Sequence, residues 1–170
     1  MRIRKLESHE IALHRELRLR ALRDSPESFA DTAEEVEQRP SSYWEDLTRS
    51  VTEPDRHVMF LACAGEAVVG SIYGLRDREH RDVARIGGIW VAPSHRRQGA
   101  GRKLLQAVVS WARENELSRL ALWAPSANAA ALALYRQAGF RSTGRRQPLR
   151  ANVTHEAVEL ERDTPTQGPV

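Results

Sequence analysis

Three consecutive extended segments, followed by a helix and a fourth strand, limit the fold of this chain more than any other feature. Residues 57–64 and 67–75 are rich in apolar side chains, and residues 83–93 form a third strand-like segment that stops at a proline. An amphipathic helix is predicted over residues 101–115 and a short buried strand over 117–124. Strands joined by short turns pair antiparallel, whereas a helical crossover joins parallel strands. This unit therefore predicts a mixed sheet.

The remaining segments add elements on both sides of this unit. Further strands are predicted over residues 1–6, 140–146 and 153–160, and further helices over residues 8–23, 41–50 and 127–138. The resulting order, β-α-α-β-β-β-α-β-α-β-β, predicts an α+β fold with a central mixed, mostly antiparallel sheet of about seven strands and about four flanking helices. Residues 1–160 are expected to form one domain, and the polar residues 161–170 a flexible C-terminal tail.

Composition excludes several classes of protein. No uninterrupted apolar run exceeds seven residues, so no membrane span is expected, and the first ten residues lack the apolar core of a signal peptide. Cys63 is the only cysteine, which rules out an internal disulfide and favours the cytoplasm. The six histidines are scattered and form no metal-binding motif, so no metal is expected.

The most informative motif is a basic turn between the third strand and the following helix. Gly99 and Gly101 allow a bulky anion to approach the main chain closely, and a helix start offers unpaired N–H groups. Four basic side chains flank these glycines: Arg96, Arg97, Arg102 and Lys103. These features predict a site for an anion the size of a pyrophosphate.

Two common phosphate-binding motifs do not fit this turn. A P-loop requires Ser or Thr directly after its lysine, where this chain has Leu104. A dinucleotide-binding turn requires a third glycine at that same position and an acidic residue about 20 residues further on, where Arg119 and Leu120 lie.

A third family does fit, at two separate places. Residues 96–101, RRQGAG, match the acyl-CoA pattern R/Q-x-x-G-x-G/A between a strand and a helix. Residues 128–140, NAAALALYRQAGF, match the pattern N-x-x-A-x-x-L-Y-x-x-x-G-F. In both blocks and in their order the chain resembles the GCN5-related N-acetyltransferases, the GNAT family.

The resemblance implies an acetyl-CoA-dependent N-acetyltransferase that moves the acetyl group to a primary amine by direct transfer in a ternary complex. The pantetheine arm of acetyl-CoA would pair with the main chain of Ile89 and Val91, next to a main-chain N–H that polarises the thioester. Tyr135 is implied as the general acid towards the leaving thiolate, and Asn128 as a cofactor contact. The implied cofactor-binding residues are Ile89, Trp90, Val91, Arg96, Arg97, Gln98, Gly99, Ala100, Gly101, Arg102, Asn128 and Tyr135.

The general base is not assigned by the resemblance. Many relatives carry a carboxylate on the strand before the basic turn, where this chain has Arg85 and Gly88. The acidic segment 24–38 contains no Lys or Arg and is expected to attract a cationic amine. Candidate bases are Asp31, Glu34, Glu35, Glu79 and Asp82, and candidate pocket-lining aromatics are Trp44, Trp90 and Trp123.

Two other functions compete with the enzyme. A non-catalytic acyl-CoA-binding or sensing module would keep the basic turn and lack an acceptor pocket. A nucleic-acid binder would use the same basic patch, but the chain lacks interleaved stacking aromatics and a known binding motif. Cys63 has no evident His partner, which argues against a covalent acyl-enzyme. The expected partner is a small-molecule or peptide amine, with no nucleic acid and no membrane, and the resemblance also allows a homodimer.

Overall fold

The computed structural model describes residues 1–150 and 155–165, in which seven strands and five helices are formed. The strands are β1 (Arg2–Lys5), β2 (His57–Ala64), β3 (Ala67–Arg76), β4 (Val83–Val91), β5 (Arg119–Pro125), β6 (Arg141–Pro148) and β7 (Glu156–Asp163). The helices are α1 (Ile11–Asp24), α2 (Ala33–Glu37), α3 (Ser41–Val51), α4 (Ala100–Glu114) and α5 (Ala129–Gln137). Within the described ranges, no helix has both the length and the apolar character needed to cross a bilayer.

All seven strands form one sheet in the order β1-β2-β3-β4-β5-β7-β6. The pair β4–β5 is parallel because α4 carries the chain across the sheet between them, and every other neighbouring pair is antiparallel. The predicted mixed, mostly antiparallel sheet is confirmed.

The two parallel strands diverge along their length. Residues 83–86 of β4 pair with residues 119–122 of β5, and these four pairs are the whole ladder between the two fully described strands. Beyond them, β4 continues to pair with β3 and β5 with β7. A wedge-shaped gap, the β4–β5 gap, therefore opens towards the C-terminal ends of both strands.

Helix α4 covers one face of the sheet and α1 covers the other. The predicted apolar stripe of α4 is buried at Leu104, Leu105 and Val108. A Cβ on Gly74 of β3 would lie 2.9 Å from Val108 Cγ1, so glycine is required for this close approach. On the opposite face, the indole N–H of Trp90 in β4 donates to Asp24 at the end of α1, at 2.9 Å.

Three differences from the sequence prediction exceed one or two residues at the end of an element. Helix α1 begins at Ile11 rather than residue 8, because the Glu10 carboxylate binds the Arg4 guanidinium at 2.7 Å and the Glu7 N–H at 2.9 Å. Helix α2 was not predicted, and it forms in the acidic segment where the Thr32 hydroxyl and the Glu35 carboxylate cap each other's N–H groups.

The third difference concerns the chain end. Strand β7 continues to Asp163 and pairs with β5, so the first three residues of the predicted tail belong to the sheet. The predicted start of this strand at residues 153–154, like residues 166–170 of the predicted tail, lies outside the described residues.

A buried histidine between α1 and α3 makes stability depend on pH. His14 is 5% exposed, its Nδ1 lies 2.9 Å from Thr48 Oγ1, and burial together with the charge of Arg18 lowers its pKa from 6.5 to about 4. Between those two values the unfolded chain binds more protons than the folded one, so stability falls as the pH falls. We expect the free energy of unfolding to be about 2 kcal/mol lower at pH 5 than at pH 7 from this group.

Urea unfolding of the wild type and of His14→Gln at both pH values measures this contribution. The variant is expected to be less stable at pH 7 and to lose less stability between pH 7 and pH 5. Equal pH slopes in the two proteins would contradict the assignment to His14.

Candidate active site

A β-bulge interrupts β4 beside the gap. Tyr73 of β3 pairs with Gly87, whereas Ser71 pairs with Trp90, so β4 advances three residues while β3 advances two. Gly88 lies in the bulge with φ of +59°, a conformation that favours glycine. A glycine pair inside an apolar strand indicates a bulge or a close approach of the main chain. The bulge is present, and it disturbs the strand where the gap begins.

The ring of Tyr73 lies directly over this bulge. A Cβ on Gly88 would come within 2.7 Å of the ring carbons Cδ1 and Cε1, and a Cβ on Gly87 would overlap the hydroxyl oxygen. Since the neighbouring Gly74 faces α4, Tyr73 projects from the opposite face of the sheet. The two glycines thus provide the space that the tyrosine fills.

The edge of β4 beyond the bulge presents main-chain groups to the gap. Ala92 N–H donates to Val69 O at 2.8 Å, so Ala92 faces β3 and the preceding Val91 faces the other way. Trp90 pairs with Ser71 and so turns its main chain to β3, while Ile89 lies at the bulge. Of the three strand residues that the resemblance implied, Val91 presents its main-chain N–H to the gap most directly, while its carbonyl accepts from Arg96.

The basic turn ends in the start of α4, next to the mouth of the gap. Arg97 and Gly99 have positive φ values of +61° and +83°. The first α-helical hydrogen bond runs from Lys103 N to Gly99 O at 3.1 Å, so the amides just before Lys103 have no partner within the helix. Space around Gly99 is open, since a Cβ there would meet nothing within 4 Å. The start of α4 therefore offers free amides and an open main chain at Gly99, and anion binding there stays a prediction.

The remaining side chains of the turn have structural partners or face solvent. Arg96 donates through Nε to Val91 O at 2.9 Å and forms an ion pair with Asp24, which also holds Trp90. Gln98 Nε2 donates to Ser94 O at 3.0 Å. Arg97 and Arg102 are exposed, as are Arg96 and Gln98, whereas Ala100 is buried and Gly101 is half-buried.

Helix α5 contributes the two residues of the second motif. Asn128 caps the helix by accepting from Ala131 N at 3.0 Å, and its Nδ2 donates to Ser28 Oγ at 3.2 Å. Tyr135 is 4% exposed, and its ring packs edge-on against Phe140 with centroids 5.9 Å apart. Burial and, to a lesser degree, nearby Tyr73 raise the pKa of Tyr135, so its hydroxyl stays protonated at neutral pH.

The acidic segment has counter-charges that its own sequence does not contain. Arg18 of α1 forms an ion pair with Asp31 at 2.5 Å, and Arg23 of α1 forms one with Glu37 at 2.8 Å. Glu35 caps α2. Three of its six acids are therefore paired with arginines outside the segment, Asp24, Asp31 and Glu37, and the attraction of a cationic amine stays a prediction.

The other candidate residues are distributed around the sheet. Asp82 accepts from Ser118 Oγ at 2.7 Å, and Glu79 is exposed in the loop before β4. Trp44 is buried against His14, with ring centroids 5.7 Å apart, and so belongs to the packing between α1 and α3. Trp123 pairs with Glu159 across β5 and β7.

Glu159 was missed by the sequence analysis. It is 1% exposed and accepts from Arg85 NH1 at 3.0 Å and from Thr143 Oγ1 at 3.0 Å, while Arg145 NH1 lies 3.3 Å away. Arg85 also binds Asp77 at 2.7 Å. The sequence did contain a signal for this ion pair. Glu159 lies at an inward position of the last strand, and Arg85 is an arginine within the apolar strand β4.

Residues 16–140 match the model of the Acetyltransferase (GNAT) family. The chain belongs to this family. Among curated GNAT relatives, human N-acetyltransferase 8 is 31% identical over 104 residues, which are 58% of this chain and 45% of the relative. The match therefore spans less than half the length of that protein.

Solved structures agree with the GNAT fold. An acetyltransferase of the GNAT family from Streptococcus pneumoniae superimposes with a TM-score of 0.81 at 18% identity, covering 96% of this chain and 99% of the neighbour. A putative acetyltransferase from Salmonella typhimurium, solved with its cofactor acetyl-CoA, superimposes with a TM-score of 0.80 at 16% identity, covering 100% and 97%.

Proposed function

We propose that this GNAT chain is an N-acetyltransferase that moves the acetyl group of acetyl-CoA to a primary amine by direct transfer in a ternary complex. The observation that carries the proposal is the β4–β5 gap, with the free amides of α4 at its mouth and Tyr73 over the bulge. Acetyl-CoA is the co-substrate. The amine nitrogen attacks the thioester carbonyl, the C–S bond breaks, and the products are an amide and the free thiol of CoA.

Each part of the site has a role in this reaction. The amides at the start of α4 and the guanidinium groups of Arg97 and Arg102 bind the diphosphate. The main chain of Ile89 and Val91 pairs with the pantetheine arm as an added strand. Asn128 orders the start of α5, and Tyr135 donates its proton to the leaving thiolate.

The binding module is the alternative that one observation favours. No carboxylate side chain is carried by β4, all of which is described, and the acids Asp31 and Glu37 are paired with arginines. A protein of this kind would bind acetyl-CoA and turn over no amine.

The proposed setting is the cytoplasm, because the lone thiol of Cys63 is buried in β2 and needs no oxidising compartment. The proposed partner is a small-molecule or peptide amine rather than a nucleic acid, and a homodimer stays a prediction.

An assay of free thiol separates the two functions. The protein is incubated with acetyl-CoA and with spermidine, an N-terminal alanyl peptide, a lysine-containing peptide or free amino acids, while calorimetry measures acetyl-CoA binding. Amine-dependent thiol release supports the enzyme. Tight binding of acetyl-CoA with no release on any amine supports the binding module.

Tyr135→Phe tests the proposed general acid. The ring and its contact with Phe140 are kept, but the proton for the thiolate is lost, so we expect kcat to fall about 100-fold with an unchanged Kd for acetyl-CoA. Stopped-flow or steady-state thiol detection gives kcat, and calorimetry gives the Kd. An unaltered kcat would remove Tyr135 from the mechanism.

A further inference from the structure

We propose that the Tyr73 hydroxyl, which occupies the space where a side chain of β4 would otherwise project, is a catalytic group that receives the acceptor amine at the β4 bulge. This inference rests on the proposed function and adds the residue that meets the second substrate.

The first support is the position of the hydroxyl. Tyr73 and Gly87 are paired across β3 and β4, and a Cβ on Gly87 would overlap the tyrosine hydroxyl oxygen and Cζ. The phenol therefore lies where the side chain of residue 87 would begin. No carboxylate side chain is carried by β4, and the Tyr73 phenol stands over Gly87 and Gly88.

The second support is the relation of Tyr73 to the gap. Its ring crosses the bulge on the face opposite α4, and the gap opens from the same point of β4. Tyr135 is buried on α5 against Phe140, and burial together with Tyr73 raises its pKa. One tyrosine is thus available for the thiol and the other for the amine.

The chemistry requires a neutral oxygen at this position. Burial raises the pKa of Tyr73, while the Arg18–Asp31 ion pair supplies the nearby charges, and the phenol stays protonated at neutral pH. Its oxygen accepts a hydrogen bond from the amine N–H and so directs the nitrogen lone pair towards the thioester carbonyl. As the C–N bond forms, the nitrogen becomes positive and this hydrogen bond strengthens, which lowers the barrier. The N–H proton is then released to water, and the Tyr135 phenolate left by protonation of the thiolate takes a proton back from water.

Tyr73→Phe separates this role from simple packing, because it removes the oxygen and keeps the ring over the two glycines. We expect kcat with the best amine of the assay to fall about 10- to 100-fold, while the calorimetric Kd for acetyl-CoA changes less than about twofold. The matched control is Tyr43→Phe on α3, whose ring packs against Trp44 and which is expected to keep the wild-type kcat. Gly87→Ala, whose methyl group would displace the hydroxyl, is expected to lower kcat as Tyr73→Phe does.

The outcomes distinguish this inference from the proposed function. Turnover by the wild type with an unaltered kcat in Tyr73→Phe would overturn the inference alone. If Tyr73→Phe kept the wild-type kcat but raised the Kd for acetyl-CoA tenfold, the inference would also be overturned, because Tyr73 would then only shape the strand. A wild type that binds acetyl-CoA and turns over no amine would overturn both. Thermal melting of each variant confirms that a loss of kcat is not a loss of folding.

Discussion

Gly99→Glu is expected to abolish acetyl-CoA binding, with a Kd raised by at least about 100-fold, because two like charges about 4 Å apart near a surface repel by about 4 kcal/mol. Gly99 precedes the free amides of α4 and has open space around it. A glutamate there places a carboxylate where the diphosphate would bind. It also forces a side chain into a backbone with φ of +83°.

A matched control separates charge at the site from backbone strain. Gly65 in the turn between β2 and β3 has φ of +61° and the same open surroundings. Gly65→Glu is therefore expected to lower the melting temperature slightly and to leave the calorimetric Kd unchanged. Gly99→Asn, which tolerates this backbone and adds no charge, is expected to retain measurable binding. Wild-type affinity in Gly99→Glu would show that acetyl-CoA does not use the start of α4.

Glu159→Ala is expected to lower the free energy of unfolding by about 3 kcal/mol, because removing one partner of a buried ion pair leaves the other without compensation. The Glu159 carboxylate is almost fully buried and joins β4, β6 and β7 through Arg85, Thr143 and Arg145. Asp77 still binds Arg85 in the variant and moderates the loss.

Another acid of the same strand provides the comparison. Glu156 forms an exposed ion pair with Arg146 at 3.0 Å, and Glu156→Ala is expected to cost less than about 1 kcal/mol. Urea unfolding of both variants gives the difference directly. Equal losses would contradict a special role for the buried carboxylate. Glu159→Gln, which keeps the shape of the side chain, shows how much of the loss comes from charge.

The sequence predicted the parts of this molecule that local rules determine. The strand-turn-helix around Gly99 follows from glycine and helix-start chemistry, and the bulge follows from Gly87-Gly88 within an apolar strand. Helix α2 was missed because it is only five residues long and depends on one capping pair. The partners of Asp31 and Glu37 could not be read from the segment because they are arginines of α1, which only the folded chain brings close.

The site was predicted less completely than the fold. Motif positions such as Asn128 and Tyr135 can be predicted from sequence spacing. The surroundings of Tyr73 and Glu159 depend on contacts across the sheet. The register between β3 and β4 determines which residue lies over Gly87. A shift of one residue would place a different side chain there and would turn the side chains of β3 to the opposite faces of the sheet.

The short parallel ladder between β4 and β5 has a consequence for ligand exchange. The β4–β5 gap is present without a ligand. The four residue pairs at its closed end need not separate when a chain-like molecule enters or leaves. No inter-strand hydrogen bond has to break for either event. The conformational entropy lost on binding is then mainly that of the flexible ligand chain rather than that of the protein. Such a site is preorganised for its ligand.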